Sequence, residues 1–416
     1  MKNTNKTKFV GFGSSLCWWA NIDYPENIKN ELIELLFGLD GLQLNILRYN
    51  LGGGSNETIK QNFRLGGNVP CIQNKNGTFD LTNDYLQLDI LNKATALSVN
   101  KVELFSNSPP HWMCKSKVTN GNTIPFNCNL KSDCIDNFAN FLCKSYDILS
   151  KQYPIVSVSP FNEPSNPFWS PKISQEGCYY DYNTRNKVIS KIKTKNEKVL
   201  IVASDESHSL FALLSFFFIN KVDRINIHGY NHFDWHTIKF NWFDWGIWRT
   251  LLKWITNKPI WMSEYGMGYT DTMADSLPLA RHIFRDLFTL EPEAWIYWQV
   301  IENVNSDWGL ITVDFECPKK IKIKKQYYIF KHFTRTLVEN DTYKFVNDHI
   351  LEIENDTYLK YIVLNDTTVP ITNNIIQQYE YTNCYISNDT CDYTGILLPN
   401  HFQPNTITSI TFSKNK

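Results

Sequence analysis

Two glutamates stand where the chain could carry out acid–base chemistry. Glu163 follows the apolar run 155–161, and Glu264 ends the apolar run 260–264. If both runs are strands of one parallel barrel, their carboxyl ends meet at the same rim, where barrel enzymes place their reacting groups. Two carboxyl groups across that rim suit hydrolysis of a glycosidic bond, because one can protonate the leaving oxygen while the other, ionised, attacks the anomeric carbon. Their surroundings must then push the two pKa values apart.

The neighbour of the first glutamate fits the same chemistry. Asn162 directly precedes Glu163 and could contact a sugar 2-hydroxyl, where hydrogen bonds strengthen in the transition state. The plain alternative is that both glutamates are ordinary strand-end carboxylates that cap the helices after their strands.

The tryptophans favour the sugar interpretation. Indole rings stack on the C–H faces of pyranose rings and leave the hydroxyls free to hydrogen-bond. Of the 13 tryptophans, the following come after predicted strands: Trp18, Trp19, Trp112, Trp169, Trp235, Trp298 and Trp308. We expect the others to pack in helices or in the core, since Trp242, Trp245, Trp248 and Trp254 share one predicted helix and Trp261 and Trp295 lie inside strands.

Other arrangements predict no cofactor or metal. His228, His232 and His236 have a helical metal-ligand spacing, but residues 225–230 read as a strand, so the three share no face. The glycines at 52–54 lack the Gly-Lys-Ser/Thr of a phosphate loop and predict a tight turn. Three serines at strand ends are possible nucleophiles: Ser14, Ser15 and Ser263. None of them lies in a Gly-x-Ser-x-Gly nucleophile elbow.

The elements that must position these residues alternate along the chain. Eight short apolar runs predict strands at 9–13, 44–49, 101–106, 155–161, 199–204, 224–230, 260–264 and 294–300. Amphipathic helices are predicted at 27–37, 83–97, 134–150, 184–195, 242–255, 277–288 and 325–337. The strands lack polar alternation, as parallel strands buried on both faces do. This order predicts an α/β fold with a (β/α)8 TIM barrel; a doubly wound sheet is the alternative, but its dinucleotide-binding turn is absent.

The pattern changes after residue 337. Residues 349–354 and 358–364 predict two strands of a hairpin around Asn355-Asp356, and further β character follows at 371–381, 384–386 and 407–412. We therefore expect a catalytic barrel over residues 1–337 and a small C-terminal β-sandwich side domain over residues 338–416.

Five segments resemble the motifs of glycoside hydrolase family 30, and most closely its endo-β-1,6-galactanase branch. They follow in family order, which makes them more specific together than singly. They are Gly11-Phe12-Gly13-Ser14-Ser15-Leu16-Cys17-Trp18-Trp19-Ala20, Leu47-Arg48-Tyr49-Asn50-Leu51-Gly52-Gly53, Ser106-Asn107-Ser108-Pro109-Pro110-His111-Trp112-Met113, Phe161-Asn162-Glu163-Pro164 and Met262-Ser263-Glu264-Tyr265-Gly266.

The resemblance implies roles for the residues at matching positions. Glu163 would be the acid/base and Glu264 the nucleophile of a retaining enzyme. Arg48 and Tyr230 would hydrogen-bond the nucleophile, and His228 would line the same site.

The resemblance also implies a sugar site. Asn162 would bind the 2-hydroxyl, and Trp112 and Trp298 would flank the sugar in the cleaved subsite. Four further residues after predicted strands complete the expected substrate-binding set: Trp18, Trp19, Asn107 and Trp169.

The expected activity is cleavage of β-linked galactan by two glutamates. Another substrate within the family stays open, as in a β-glucosylceramidase, a β-1,6-glucanase or a xylanase. A non-catalytic carbohydrate-binding protein on the same scaffold is the alternative of a different class.

Composition limits the partners. The 416 residues carry 41 Lys+Arg against 42 Asp+Glu, a formal net charge of −1, which argues against nucleic acid. The longest apolar run, 210–219, is too short for a membrane span. We expect a monomer whose partner is an oligo- or polysaccharide. The polar N-terminus shows no signal peptide although the resembled family is usually secreted, so the location stays open. Only about eight residues precede the first motif, so a reduced side domain is expected.

Overall fold

The computed structural model describes residues 7–59, 61–230, 241–375 and 379–414. Within them, eight parallel strands form a barrel: Gly11–Ser15, Ile46–Asn50, Lys101–Phe105, Ile155–Ser159, Val202–Glu206, Arg224–His228, Ile260–Tyr265 and Ala294–Tyr297. Strands one to four and eight to five pair in sequence, with the first strand beside the eighth. A parallel bridge between Val158 and Ile201 joins the fourth and fifth strands, so the barrel is nearly closed. The predicted (β/α)8 fold is confirmed.

Each strand is followed by a helix. In chain order the helices are Glu26–Phe37, Tyr85–Thr95, Ile135–Leu149, Tyr182–Lys195, Ser209–Phe218, Asn241–Ile255, Met273–Thr289 and Lys325–Thr336. Sequence periodicity predicts seven of them. It misses Ser209–Phe218, because a helix that is apolar on nearly every side has no polar stripe to reveal its period.

Short elements lie between these units. A four-residue helix, Cys17–Ala20, follows the first strand, and 3₁₀ turns occupy Leu81–Asp84, His111–Met113 and Ser132–Cys134. After the eighth barrel strand, a small sheet contains Ile301–Asn303, Ile311–Val313 and Ile321–Ile323. None of the helices in the described residues is long and apolar enough to cross a lipid bilayer.

The side domain is built on one antiparallel sheet. Its strands, from edge to edge, are Thr7–Lys8, Thr342–Asn347, Ile350–Glu354, Tyr358–Asn365, Thr406–Ser413, Glu380–Ser387 and Thr394–Gly395. A two-stranded ribbon, Ile371–Thr372 with His401–Phe402, supplies Phe402 to the apolar cluster on this sheet. The predicted hairpin around Asn355 is confirmed, and the chain's start contributes one edge strand.

The last barrel helix connects the barrel to this sheet. Phe330 of helix Lys325–Thr336 is fully buried against the rings of Phe12, Trp295 and Tyr297. His332 of the same helix contacts the hydroxyls of two sheet serines instead. One helix therefore packs on both layers. The division of the chain at residue 337 stays a prediction.

Removing one ring from this contact tests its contribution to stability. Phe330→Ala should lower the free energy of unfolding by about 3–5 kcal/mol, because the buried ring leaves a cavity. Chemical denaturation measures it. Leu397→Ala, at a side chain that is 86% exposed, is the control and should stay within about 0.5 kcal/mol. A Phe330→Ala loss no larger than that of the control would contradict the packing described.

Candidate active site

The barrel brings the two glutamates together at the carboxyl ends of its strands. Glu264 lies near the end of the seventh strand, and Glu163 lies in the turn after the fourth. Their residues are only 4% and 8% exposed, so both carboxyl groups lie in a largely dry site. One oxygen of each carboxyl group and one ring nitrogen of His228 lie within 4.8 Å of one another.

Backbone contacts fix the position of Glu163. Its φ angle is +42°, in the left-handed region, where a non-glycine residue needs support from its surroundings. Its N–H donates to the carbonyl oxygen of Asp205 over 2.8 Å, and its own carbonyl oxygen accepts from the indole of Trp169 over 3.0 Å. Its carboxyl oxygens lie 3.1 Å from His228 Nδ1 and 3.4 Å from Asn166 Nδ2.

Charged and polar donors orient Glu264. Arg48 Nη1 donates to one carboxyl oxygen over 2.9 Å, and the Tyr230 hydroxyl donates to the other over 3.2 Å. Burial raises the pKa of Glu264 to about 7, although His228 and Arg48 lower it; the nearby Glu163 carboxylate adds to the rise. The two donors favour the ionised form that burial penalises.

His228 is held in its cationic form. Burial lowers its pKa, but Glu264, Asp205 and Glu163 together raise the pKa to about 10. Its Nε2 lies 3.3 Å from Asp205 Oδ1, opposite the face that meets the two glutamates. A protonated imidazole has no lone pair for a metal, so the Glu163, His228 and Glu264 atoms do not fit a cation site in this state.

A second buried layer lies beneath the pair. Arg48 is fully buried and also pairs with Glu103 over 3.0 Å and with Asp205 over 3.1 Å. Arg224 pairs with Glu103, and Asn226 donates to Glu103 over 2.8 Å. The Arg48 guanidinium holds the pKa of Asp205 well below its usual range despite burial. This layer fixes Arg48 and His228 from below.

The comparison with protein families identifies the family of the chain. A family model described as O-glycosyl hydrolase family 30 matches residues 2–210, half of the 416-residue chain. The chain belongs to glycoside hydrolase family 30. It is therefore a glycosidase, as the carboxyl pair suggested.

Individual relatives of this family 30 enzyme agree. An endo-beta-1,6-galactanase from Hypocrea rufa is 29% identical over 370 residues, which span 80% of this chain and 72% of that protein. A conserved exported protein from Bacteroides fragilis has the same fold, with a TM-score of 0.85, 18% identity and 99% of each chain covered. The catalytic domain of a family 30 xylanase C from Talaromyces cellulolyticus follows with a TM-score of 0.72, 16% identity and 98% of each chain covered.

The carboxyl pair opens into a cleft of about 340 Å³, within the size range of small-molecule sites. Six of the residues expected from sequence line it: Trp18, Asn162, Glu163, Tyr230, Glu264 and Trp298. The rings of Trp18 and Trp298 meet edge to face at 5.1 Å and form one wall. Arg48 and His228 lie beneath the cleft and contact Glu264.

Four residues that were expected to bind substrate do not line the described cleft of this family 30 enzyme. Trp19 is fully buried, and its indole donates to the carbonyl oxygen of Ser15 over 3.0 Å, so its assignment to substrate is corrected to the core. Trp169 is buried behind Glu163, and Asn107 is buried beside Cys17. Trp112 packs half-buried beside His111 and does not line the described cleft. Neighbouring tryptophans along a chain point in different directions, which spacing alone did not resolve.

Long loops supply cleft residues that sequence reasoning missed. Arg64 follows the second strand and lies over the Trp18 ring at 4.0 Å; Gln175 follows the fourth strand and Ser306 the eighth. Glu302 and Trp308, also after the eighth strand, complete the lining, and Trp308 is one of the tryptophans that the sequence placed after a strand end. No periodic pattern marks such loop positions. Trp235, His232 and His236 lie outside the described residues.

The cationic state of His228 predicts a pH dependence of stability. The pKa of His228 rises from about 6.5 in the unfolded chain to about 10 in the fold. Its charge therefore contributes fully to the free energy of unfolding below pH 6.5, and this contribution is lost as pH rises toward 10. The stability difference between the native chain and His228→Gln should therefore be large at pH 6 and shrink toward pH 10. Denaturant titrations across this range measure it.

The control for this series is the same substitution at exposed His401. It should shift the curve by less than about 0.5 kcal/mol throughout. A His228→Gln difference that stays constant from pH 6 to 10 would show that the buried imidazole is neutral.

Proposed function

We propose that this family 30 enzyme is a retaining endo-β-1,6-galactanase, with Glu163 as acid/base and Glu264 as nucleophile. The observation that carries the mechanism is the short distance between the two carboxyl groups. One oxygen of Glu163 and one oxygen of Glu264 lie within 4.8 Å of each other. Retaining glycosidases place their carboxyl groups about 5–5.5 Å apart, whereas inverting ones leave about 6.5–9.5 Å for a water molecule. The short separation supports direct attack by one carboxylate.

The charges of the site support one shared proton. Four buried carboxyl groups, those of Glu103, Glu163, Asp205 and Glu264, meet three cations, Arg48, Arg224 and His228. One proton on the glutamate pair balances the cluster. The proposed mechanism needs this proton on Glu163, and Arg48 and Tyr230 donate to Glu264 and stabilise its negative charge.

The proposed reaction then runs in two displacements. Glu163 gives its proton to the glycosidic oxygen while the ionised Glu264 attacks the anomeric carbon, forming a glycosyl-enzyme. Glu163, now a carboxylate, takes a proton from the incoming water, which releases the sugar with its configuration retained. Arg48 and Tyr230 aim the nucleophile, and the His228 cation stabilises the negative charge that passes between the two glutamates.

Asn162 is suited to bind the sugar beside the reacting carbon. It lines the cleft next to Glu163, and its Oδ1 is buried with no hydrogen-bond partner among the described residues. A buried acceptor left unpaired costs stability unless a ligand donates to it. A sugar 2-hydroxyl would supply that donor.

The galactan assignment comes from the relative, and the cleft offers a second candidate. The Hypocrea rufa protein that aligns with 80% of this chain is an endo-beta-1,6-galactanase. Arg64 in the cleft wall could instead pair with an acidic side group, as a glucuronoxylan would carry. Burial lowers the pKa of Arg64, and Glu302, which lines the same cleft, opposes this only in part. A neutral sugar therefore fits better, because an acidic group would also face Glu302.

Two isosteric substitutions test the roles. Glu264→Gln should reduce turnover of galactan and of activated aryl galactosides alike. The loss should be at least as large as the roughly 100- to 10,000-fold loss that is typical for a general acid–base group. Glu163→Gln should reduce galactan turnover by that range but spare kcat/KM for aryl galactosides with good leaving groups, whose first displacement needs no proton. Their kcat should still fall, because the second displacement uses Glu163 as its base. Steady-state rates with both substrates measure the difference.

Glu176→Gln is the matched control. Glu176 is buried, and burial raises its pKa to about 8, so glutamine resembles its protonated form. Its turnover should stay within a few-fold of the native rate. Normal galactan cleavage by Glu264→Gln would refute the assignment of the nucleophile.

Product analysis tests the mechanism and the substrate. NMR of the first product formed from β-1,6-galactan should show the β anomer, and mass spectrometry should show short galacto-oligosaccharides. An initial α anomer would rule out the double displacement. Faster cleavage of β-1,6-glucan or glucuronoxylan would replace galactan as the substrate, and binding without turnover would favour a carbohydrate-binding protein.

A further inference from the structure

A second groove lies on the side domain, away from the catalytic cleft. It encloses about 360 Å³ and is lined by Leu39, Asp40, Lys331, Arg335, Thr336, Asn383, Tyr385, Tyr393, Ser409 and Thr411. Leu39 and Asp40 follow the first barrel helix and precede the second strand, so they lie at the end of the barrel opposite the catalytic glutamates. We call it the side-domain groove.

Two cations, Lys331 and Arg335, share this groove with one carboxylate, that of Asp40. Lys331 Nζ donates to the carbonyl oxygen of Asp40, and Arg335 Nη1 donates to that of Leu39 over 2.8 Å. Among the described residues, no carboxyl group lies within ion-pair distance of either cation. Burial and the adjacent Arg335 charge lower the pKa of Lys331, and the Asp40 carboxylate offsets only part of this. Neighbouring like charges destabilise each other unless an anion lies between them.

Aromatic rings form another side of the groove. Tyr385 and Tyr393 stack with centroids 4.6 Å apart and planes at 6°. Lys331 Nζ lies 5.0 Å from the Tyr393 ring centre, and His332 meets the edge of that ring at 4.8 Å. Burial and the Lys331 charge lower the pKa of His332 to about 3, so it adds no third charge. The tyrosines thus form a fixed apolar surface beside two cations.

We propose that the side-domain groove binds an acidic saccharide unit of a glycan chain. The sugar carboxylate pairs with Arg335 and Lys331, whose two charges outnumber the single Asp40 carboxylate of the groove, while the pyranose ring lies against Tyr385. Asn383 and Thr411, which have no side-chain hydrogen bonds among the described residues, face the same groove and supply partners for hydroxyls. The enzyme would then anchor a charged part of a polysaccharide while its cleft cleaves a neutral part.

Paired probes separate charge from ring shape. An α-1,4-linked galacturonate trisaccharide and its methyl ester have the same rings, but only the acid carries carboxylates, and neither has the β linkage expected of a substrate. Titration calorimetry with the native chain should show binding of the acid and about ten-fold weaker binding of the ester, the loss expected for charge-assisted hydrogen bonds. Equal affinities would overturn the proposal.

Variants locate the binding. Arg335→Gln and, separately, Lys331→Gln should each weaken the acid about five- to ten-fold without changing the affinity for the ester, whereas Tyr385→Ala should weaken both probes. Lys187→Gln, at a lysine on helix Tyr182–Lys195, is the matched charge control and should change nothing. Melting curves show whether each variant folds. If one of the two cation variants does not fold, the other still tests the proposal.

Two further binding measurements can overturn the proposal. If Arg64→Gln abolishes binding while Arg335→Gln does not, the acid occupies the catalytic cleft instead. If inorganic phosphate competes as strongly as the trisaccharide, the groove is a simple anion site. The proposal does not rest on the galactanase mechanism, since binding is measured without turnover. The variants at Arg335, Lys331 and Tyr385 should keep the native rate on galactan.

Discussion

The cluster of carboxyl groups at the barrel rim depends on the buried guanidinium of Arg48. It contacts Glu264, Glu103 and Asp205 at once, in a place where water cannot solvate any of them. Three carboxylates so close together would repel one another, and a cation at their centre lowers the cost of keeping them ionised. Removing one partner of a buried charge cluster is far more costly than replacing the whole cluster by apolar groups, so the cluster serves chemistry rather than stability. Arg48 thereby favours the charged form of Glu264, which burial opposes.

A polar barrel interior requires that stability come from elsewhere. The apolar layer between strands and helices supplies it, with rings such as Phe12, Trp295 and Phe330 packed edge to face. The last barrel helix extends this layer to the antiparallel sheet, and the edge strand Thr7–Lys8 ties the start of the chain to the same sheet. The side domain is therefore attached through buried contacts rather than through a linker. Its free surface carries the side-domain groove, which lies at the other end of the barrel from the cleft.

Much of this arrangement could be predicted because it repeats. Eight buried strands alternating with amphipathic helices give the barrel, and the strand ends place Glu163, Glu264, Asn162 and Trp298 at one rim. The helix Ser209–Phe218 escaped prediction because it lacks a polar stripe. Arg64 and Gln175 escaped because long loops carry no period, and their place in the cleft depends on contacts with distant residues such as Trp18. The expectation for Trp19 was wrong for a related reason: adjacent residues on a short helical turn face opposite ways, and only packing selects which one meets the cleft.

The family, the barrel and the identity of the two glutamates follow from residue type and order along the chain. The tertiary structure decided what those glutamates can do. Their separation, the donors on Glu264 and the cationic state of His228 arise from strands far apart in sequence that meet at one rim. The side-domain groove likewise exists only where a barrel loop, a helix and a sheet come together. Distances and local dielectric are properties of the folded chain, and a pKa or a binding groove cannot be read before they are fixed.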